Sequence, residues 1–176
     1  VSRITPIKQF PLLFSLLSKV LSQYPQFNLE IFGSGGYASI RDIRKALNPI
    51  HDQVRFWGQQ KDVALVYSHL DYLITGLPEK EALGLNVIEA QVCGTPVIAP
   101  NAQPFIETIL DNRTGFLYTD PRVDDGKSFK QLLKKILLMS KSLNPIVEID
   151  HLNQFSFESF THRIESIVNW AKKKGY

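Results

Sequence analysis

The 176-residue sequence predicts an α/β fold in which helices cover both faces of a doubly wound parallel sheet of about six strands. Strand-like and helix-like segments alternate along most of the chain. The strand-like segments are continuous apolar runs, as at 72–74 and 96–99, which is typical of strands buried on both faces. The helix-like segments repeat apolar residues at spacings of three and four.

The element boundaries follow from apolar spacing and from breaker residues. Phe10 begins a segment of helical spacing that Pro25 follows, and Asn48-Pro49 ends the next helix. Gly33 and Gly58 each close a short apolar strand. The predicted strands are Val1–Ile4, Asn28–Phe32, Val54–Trp57, Asp71–Thr75, Thr95–Ala99 and Gly115–Tyr118. The predicted helices are Phe10–Gln23, Ser39–Leu47, Asp62–Leu70, Asn86–Cys93, Pro104–Leu110, Lys127–Met139 and Phe157–Lys173.

Composition places the chain among ordinary globular proteins. Apolar residues make up 44%, and 20 basic against 17 acidic residues give a net charge of +3 without a long basic block, so nucleic-acid binding is not expected. One cysteine excludes an internal disulfide, and the four scattered histidines give no zinc-ligand spacing. No apolar run approaches the ~18 residues of a membrane span, and no signal peptide is recognised. We expect a single cytoplasmic domain, residues 1–176, cut from a longer protein.

Three loops that follow predicted strands carry groups suited to an anion. Arg3 and Lys8 follow the first strand, 33–36 follows the second, and 81–86 follows the fourth and opens a helix. The carboxyl ends of parallel strands meet at one edge of a sheet, where ligands bind. A helix start offers unpaired N–H groups and the positive end of a dipole. Two ordinary explanations stay open: 33–36 as a plain tight turn, and each cation as a solvated surface charge.

Glu81 and Glu89 are eight positions apart, which on one helix would separate them by about 80°. They are therefore not expected to act as a paired acid and base. We place Glu81 in the loop, projecting over the strand ends, and Glu89 one turn inside the helix. The alternatives are a solvated acidic loop for Glu81 and a carboxylate that complements the helix dipole for Glu89.

The segment from Glu81 to Ala99, EALGLNVIEAQVCGTPVIA, closely resembles the signature of retaining GT-B glycosyltransferases of family 4, also called glycosyl transferases group 1. Four further stretches resemble the family in the same order, and the resemblance covers nearly the whole chain. They are 2–8 with its Arg and Lys, 54–58 before the base-binding loop, 111–117 at a strand entry, and 155–158 at the start of the closing helix.

The resemblance implies the C-terminal, Rossmann-like donor-binding domain of such an enzyme. The family transfers a sugar from a nucleotide diphosphate sugar with retained configuration and needs neither metal nor cofactor. By position, the diphosphate would be held by Arg3, Lys8, Gly84, Leu85 and Asn86. The resemblance further implies that Glu81 contacts the hexose and that Glu89 binds the ribose. Gln59 and Gln60 would contact the base, and Gly33 and Gly35 would leave room for the donor.

The resemblance is imperfect in the sugar pocket. Ala82, Leu83 and Asn86 stand where the family commonly has Gly, an aromatic residue and Pro. We expect the N-terminal acceptor domain to belong to the same longer chain, and the basic residues 172–174 leave a peripheral membrane association open. Two alternatives to a transferase are kept: a sugar-nucleotide epimerase of the same fold, and a non-catalytic phosphate-binding module.

Overall fold

The computed structural model describes residues 1–78 and 83–174. Its strands are all paired in parallel and alternate with helices, which confirms the predicted α/β class. The strands are β1 (Leu29–Phe32), β2 (Val54–Gly58), β3 (Leu73–Ile74), β4 (Val97–Pro100) and β5 (Gly115–Tyr118). The helices are α1 (Phe10–Leu21), α2 (Tyr37–Ala46), α3 (Val63–Ser68), α4 (Leu85–Val92), α5 (Phe105–Thr108), α6 (Pro121–Asp124), α7 (Lys127–Leu138), α8 (Ile149–Asn153) and α9 (Phe157–Lys174), with 3-10 turns at Pro6–Lys8, Asn48–Gln53 and Pro145–Glu148.

The described residues form two parallel sheets, β1–β2 and β3–β4–β5, rather than one continuous sheet of about six strands. Val1–Ile4, which the sequence predicts as the end of a strand, forms no strand in the described part of the chain. This segment makes an isolated parallel bridge between Ile4 and Gly35. Its backbone hydrogen bonds reach only the last residue of β1 and the glycine loop, so no longer ladder with β1 is described.

Two backbone hydrogen bonds nevertheless fasten that segment beside β1. The N–H of Ser2 donates to the carbonyl of Phe32 at 3.1 Å, and the N–H of Ile4 donates to that of Ser34 at 2.8 Å. Gly33, which lies between these two acceptors, donates instead to Gly58 of β2 at 2.8 Å. Because successive residues of an extended chain point to opposite sides, the segment lies on the edge of β1 opposite β2.

β4 is the strand buried most completely, since all four of its residues are inaccessible. Ile98 faces a hydrophobic cluster formed with α1, α2 and α7, whereas Val97 and Ala99 face a second cluster. This alternation confirms that the apolar runs of the sequence are strands covered on both faces. The second cluster consists of Tyr67, Leu73, Val87, Ala90, Val97, Ala99, Phe105 and Ile109.

The helices at the C-terminal end differ in how they pack. α7 buries Phe129, Leu132 and Leu133, as its helical spacing predicts. α9 is amphipathic but contains no buried residue within its described length, and Phe157 and Trp170 remain 81% and 59% exposed. Across residues 1–78 and 83–174, no helix combines the length and hydropathy needed to cross a bilayer.

Candidate functional site

The segment that follows Val1–Ile4 carries Lys8 to the end of β3. Residues 6–8 form a 3-10 turn, and the turn places the Lys8 carbonyl against Gly76, just beyond β3. A Cβ built on Gly76 would lie 3.3 Å from that carbonyl oxygen, so glycine permits this close approach.

The start of α4 is shaped by Gly84. This residue has φ +72° and ψ 57°, a left-handed conformation that glycine adopts with little strain, and it precedes the first helical residue, Leu85. Its carbonyl accepts from the N–H of Val87 at 2.8 Å. The N–H groups of Leu85 and Asn86 belong to the first turn, where an α-helix provides no internal acceptor. The structure thus confirms that a helix begins directly after this loop, and phosphate binding there stays a prediction.

Lys8 and Asn86 line the same cavity, together with Thr75, Gly76 and Phe105. The cavity lies between β1, whose residues Leu29–Phe32 line it, and the carboxyl end of β3 at Ile74. The carboxyl ends of the strands are where a parallel sheet binds ligands. The structure thus brings together two of the predicted site residues that are far apart in the sequence. Thr75 and Phe105 were not predicted, because only the tertiary packing of the loop after β3 against α5 brings them there.

Arg3, a predicted diphosphate ligand, lies outside the cavity that Lys8 lines. It is exposed, next to the buried Ile4, at the end of the extended segment. Its role in binding stays a prediction.

Glu89 is the fifth residue of α4, one turn inside the helix as predicted. It is exposed and follows Asn86 by three positions, so the two side chains share one side of the helix. The hydroxyl of Tyr67 on α3 donates to Glu89 Oε2 at 3.1 Å. Sequence reasoning did not identify Tyr67, because its position among the apolar residues of α3 predicts only a core side chain.

Glu81 lies outside the described residues, as do Glu79, Lys80 and Ala82. Its predicted contact with the hexose stays a prediction, as does the ribose contact of Glu89.

Gly33 and Gly35 are explained by the packing of the chain itself. A Cβ on Gly33 would lie 1.8 Å from the Ser2 carbonyl oxygen, and a Cβ on Gly35 would lie 2.3 Å from that of Ile4. Both glycines therefore admit the backbone of the Val1–Ile4 segment. That they also leave room for a donor stays a prediction.

Gln59 and Gln60 follow β2 and are exposed. The Ser34 hydroxyl donates to Gln59 Oε1 at 3.3 Å, which places the loop after β2 beside the loop after β1. Gln60 Nε2 donates to the carbonyl of Trp57 at 2.9 Å, so its side chain folds back on its own loop. Neither glutamine lines the cavity that contains Lys8.

Cys93, at the end of α4, is half-buried and packs against the second cluster. Burial, together with the carboxylates of Glu89 and Asp62, raises the pKa of its thiol. A thiol held in its protonated form is a poor nucleophile. In the part of the chain that the structure describes, no three His, Cys, Asp or Glu side chains gather as metal ligands would.

Comparison with known proteins assigns the chain to a family. The family described as glycosyl transferases group 1 matches residues 1–149. A glycosyltransferase of Haemophilus influenzae is 31% identical over 128 residues, which are 71% of this chain and 35% of that protein. The phosphatidyl-myo-inositol mannosyltransferase of Propionibacterium freudenreichii is 30% identical over 139 residues, which are 78% of this chain and 34% of that protein.

The fold is shared with solved glycosyltransferase structures. Anabaena HepE in complex with UDP and glucose superposes with a TM-score of 0.76 at 19% identity, covering 96% of this chain and 46% of HepE. Sucrose-phosphate synthase of Thermosynechococcus elongatus superposes with a TM-score of 0.75 at 23% identity, covering 99% of this chain and 45% of the synthase. The chain therefore spans about a third of the length of the relatives matched by sequence and just under half of the length of these solved proteins. The resemblance predicted from the Glu81–Ala99 segment is confirmed: the chain belongs to the group 1 glycosyltransferase family and has the Rossmann-like α/β fold of its GT-B members.

Proposed function

We propose that this chain is the donor-binding part of a retaining glycosyltransferase, which moves a hexosyl group from a nucleotide diphosphate sugar to an acceptor without a metal ion. The observation that carries this proposal is that Lys8 and Asn86 line one cavity at the carboxyl end of β3. Lys8 and the first turn of α4 thus border one cavity, and a cation beside a helix start is an arrangement that would favour an anionic diphosphate.

The first step is recognition of the diphosphate. The N–H groups of Leu85 and Asn86 at the start of α4 would donate to phosphate oxygens, and the helix dipole favours negative charge there. The Lys8 ammonium would donate charge-assisted hydrogen bonds from the other side of the cavity. Arg3, on the same N-terminal segment, would add a second cation.

The nucleoside would extend along α4 from this diphosphate. Glu89, exposed one turn beyond Asn86, would accept hydrogen bonds from the ribose hydroxyls. Gln59 and Gln60 in the loop after β2 would lie near the base, and Glu81 would contact the hexose. HepE was solved with UDP, so UDP is the first nucleotide to test.

Two cations would also explain how transfer proceeds without a metal. The diphosphate gains negative charge as the sugar leaves, and preorganised positive groups stabilise that charge as a divalent metal does in other enzymes. The retained configuration is proposed from the family resemblance. Because the chain spans less than half of the solved relatives, the acceptor site would be completed by another part of the protein, and this chain alone would bind donor without transferring sugar.

The proposal is tested by calorimetric titration of the folded chain with UDP, GDP and ADP, each with Mg²⁺ and with EDTA. At least one nucleotide is expected to bind, with the same affinity in both buffers. The K8M variant is expected to bind about tenfold or more weakly, as the loss of a charge-assisted hydrogen bond predicts. The control is K19M, which removes an exposed α1 cation that faces Asp125 at 3.8 Å. Absence of binding by all three nucleotides would contradict the proposal.

A further inference from the structure

The carboxylate of Glu89 is anchored by a buried group. Tyr67 is only 2% exposed, and its hydroxyl donates to Glu89 Oε2 at 3.1 Å. Glu89 itself lies on the exposed surface of α4. An exposed glutamate on a helix normally samples several rotamers. The hydrogen bond from Tyr67 favours those rotamers that keep Oε2 within reach of the hydroxyl.

Tyr67 is well placed to act as an anchor because it is itself held rigidly. Its ring packs in the second cluster, and its backbone carbonyl accepts from the Thr95 hydroxyl. The Asp62 side chain caps α3, the helix that contains Tyr67, by accepting from the N–H of Leu65 at 2.9 Å. A hydroxyl fixed in this way restricts the orientation of the carboxylate to which it donates.

The Tyr67 hydroxyl also remains protonated, and therefore a donor, at neutral pH. Burial raises the pKa of Tyr67, and the negative charge of Glu89 and their hydrogen bond raise it further. The bond engages Oε2, whereas Oε1 lies outside it. The hydrogen bond thus holds the carboxylate by one of its two oxygens.

We propose that Tyr67 is a positioning residue for nucleotide recognition: its hydroxyl orients the Glu89 carboxylate toward the ribose and so sets the preference for ribonucleotides over nucleotides that lack the 2′ and 3′ hydroxyls. This inference rests on the proposed function, because it takes the ligand of Glu89 to be a ribose. It adds a residue on a different helix, one that does not touch the ligand.

The test compares each variant's affinity for UDP and for 2′,3′-dideoxy-UDP; if GDP or ADP binds the wild type more tightly, that nucleotide and its dideoxy form are used. In Y67F the ring keeps its packing and only the hydroxyl is lost. The ratio of the two affinities is expected to fall about three- to tenfold, the range that the net contribution of a typical hydrogen bond predicts, while the affinity for the dideoxy form stays unchanged. Y118F is the matched control, since the Tyr118 hydroxyl is also buried but has no hydrogen-bond partner among the described residues.

The outcomes separate three explanations. A purely structural role for the Tyr67 hydroxyl would lower both affinities equally and leave their ratio as in the wild type, which would overturn the inference. In E89Q/Y67F, the ratio is expected to match that of E89Q, because Tyr67 acts through Glu89. If the wild type binds no nucleotide, the proposed function fails first. Crystal structures without nucleotide then decide the anchoring itself: one Glu89 rotamer in both wild type and Y67F would contradict it.

Discussion

The packing of the N-terminal segment against the glycine loop makes Gly35 the most informative position for a stability test. In G35A, the new Cβ would lie 2.3 Å from the Ile4 carbonyl oxygen and 2.7 Å from the Ile4 Cβ. The first of these atoms is backbone, which cannot turn aside as a flexible side chain would. The segment that contains Ile4 must therefore move away from the loop.

The cost of that movement follows from what Ile4 contributes. Its N–H donates to the carbonyl of Ser34 at 2.8 Å, and exchanging this hydrogen bond for water at an exposed loop costs about 0.5–1.5 kcal/mol. Its side chain is 4% exposed, and losing that burial costs about 1.5–3 kcal/mol. We expect G35A to lower the free energy of unfolding by about 3 kcal/mol.

Urea denaturation followed by fluorescence measures this change. G36A is the control, because a Cβ on Gly36 meets no described atom within 4 Å. Gly36 is the N-cap of α2, where alanine is less favourable, so a loss of about 1 kcal/mol or less is expected. Equal unfolding free energies for G35A and G36A would refute the reasoning, since they would show that the glycine is not required for the approach of Ile4.

Three further predictions concern other parts of the chain. Y118F is expected to be neutral or slightly stabilising in urea denaturation, because burial of a hydroxyl that finds no partner in the described part of the chain is unfavourable; a loss above about 1 kcal/mol would contradict this. D120N is expected to cost about 1 kcal/mol at pH 7, because it removes the ion pair with Arg122, whereas asparagine can still cap α6. The hydrogen bond from Arg122 lowers the Asp120 pKa below 3.8, so its contribution is complete above that pH and is lost as the pH falls through the folded-state pKa. The wild type and D120N should therefore converge in acid, and a constant difference would argue against the ion pair. Deletion of 157–174 should leave the melting temperature within a few degrees, because none of the described residues of α9 is buried; global unfolding would contradict this.

The sequence predicts the order of elements well because apolar spacing and breaker residues are local signals. Phe10 begins α1 as predicted, and Gly115–Tyr118 is a strand with the predicted bounds. α6 and α8 were missed because helices of four and five residues are too short for an apolar period to appear. Val1–Ile4 has the composition of a strand, but whether a ladder forms depends on the neighbouring strand beside it, which composition does not encode.

The same distinction applies to the site. Lys8 and Asn86 could be predicted to meet because the topology of a parallel sheet places the loops after its strands along one edge. The contact from Tyr67 to Glu89 could not, because it joins two helices through the particular packing of α3 on α4. Motifs thus identify groups that touch a ligand more readily than groups that orient them.

The two ends of the proposed ligand depend on different parts of the fold. Lys8 is carried by the N-terminal segment, which is fastened to the β1 side through Ile4 and Gly35. Glu89 is carried by α4, which packs over the β3–β4–β5 sheet and is anchored by Tyr67. A change at Gly35 should therefore alter diphosphate recognition, whereas a change at Tyr67 should alter ribose recognition. Because the two parts meet where Lys8 contacts Gly76, a nucleotide bound across them would stabilise that junction in proportion to its affinity.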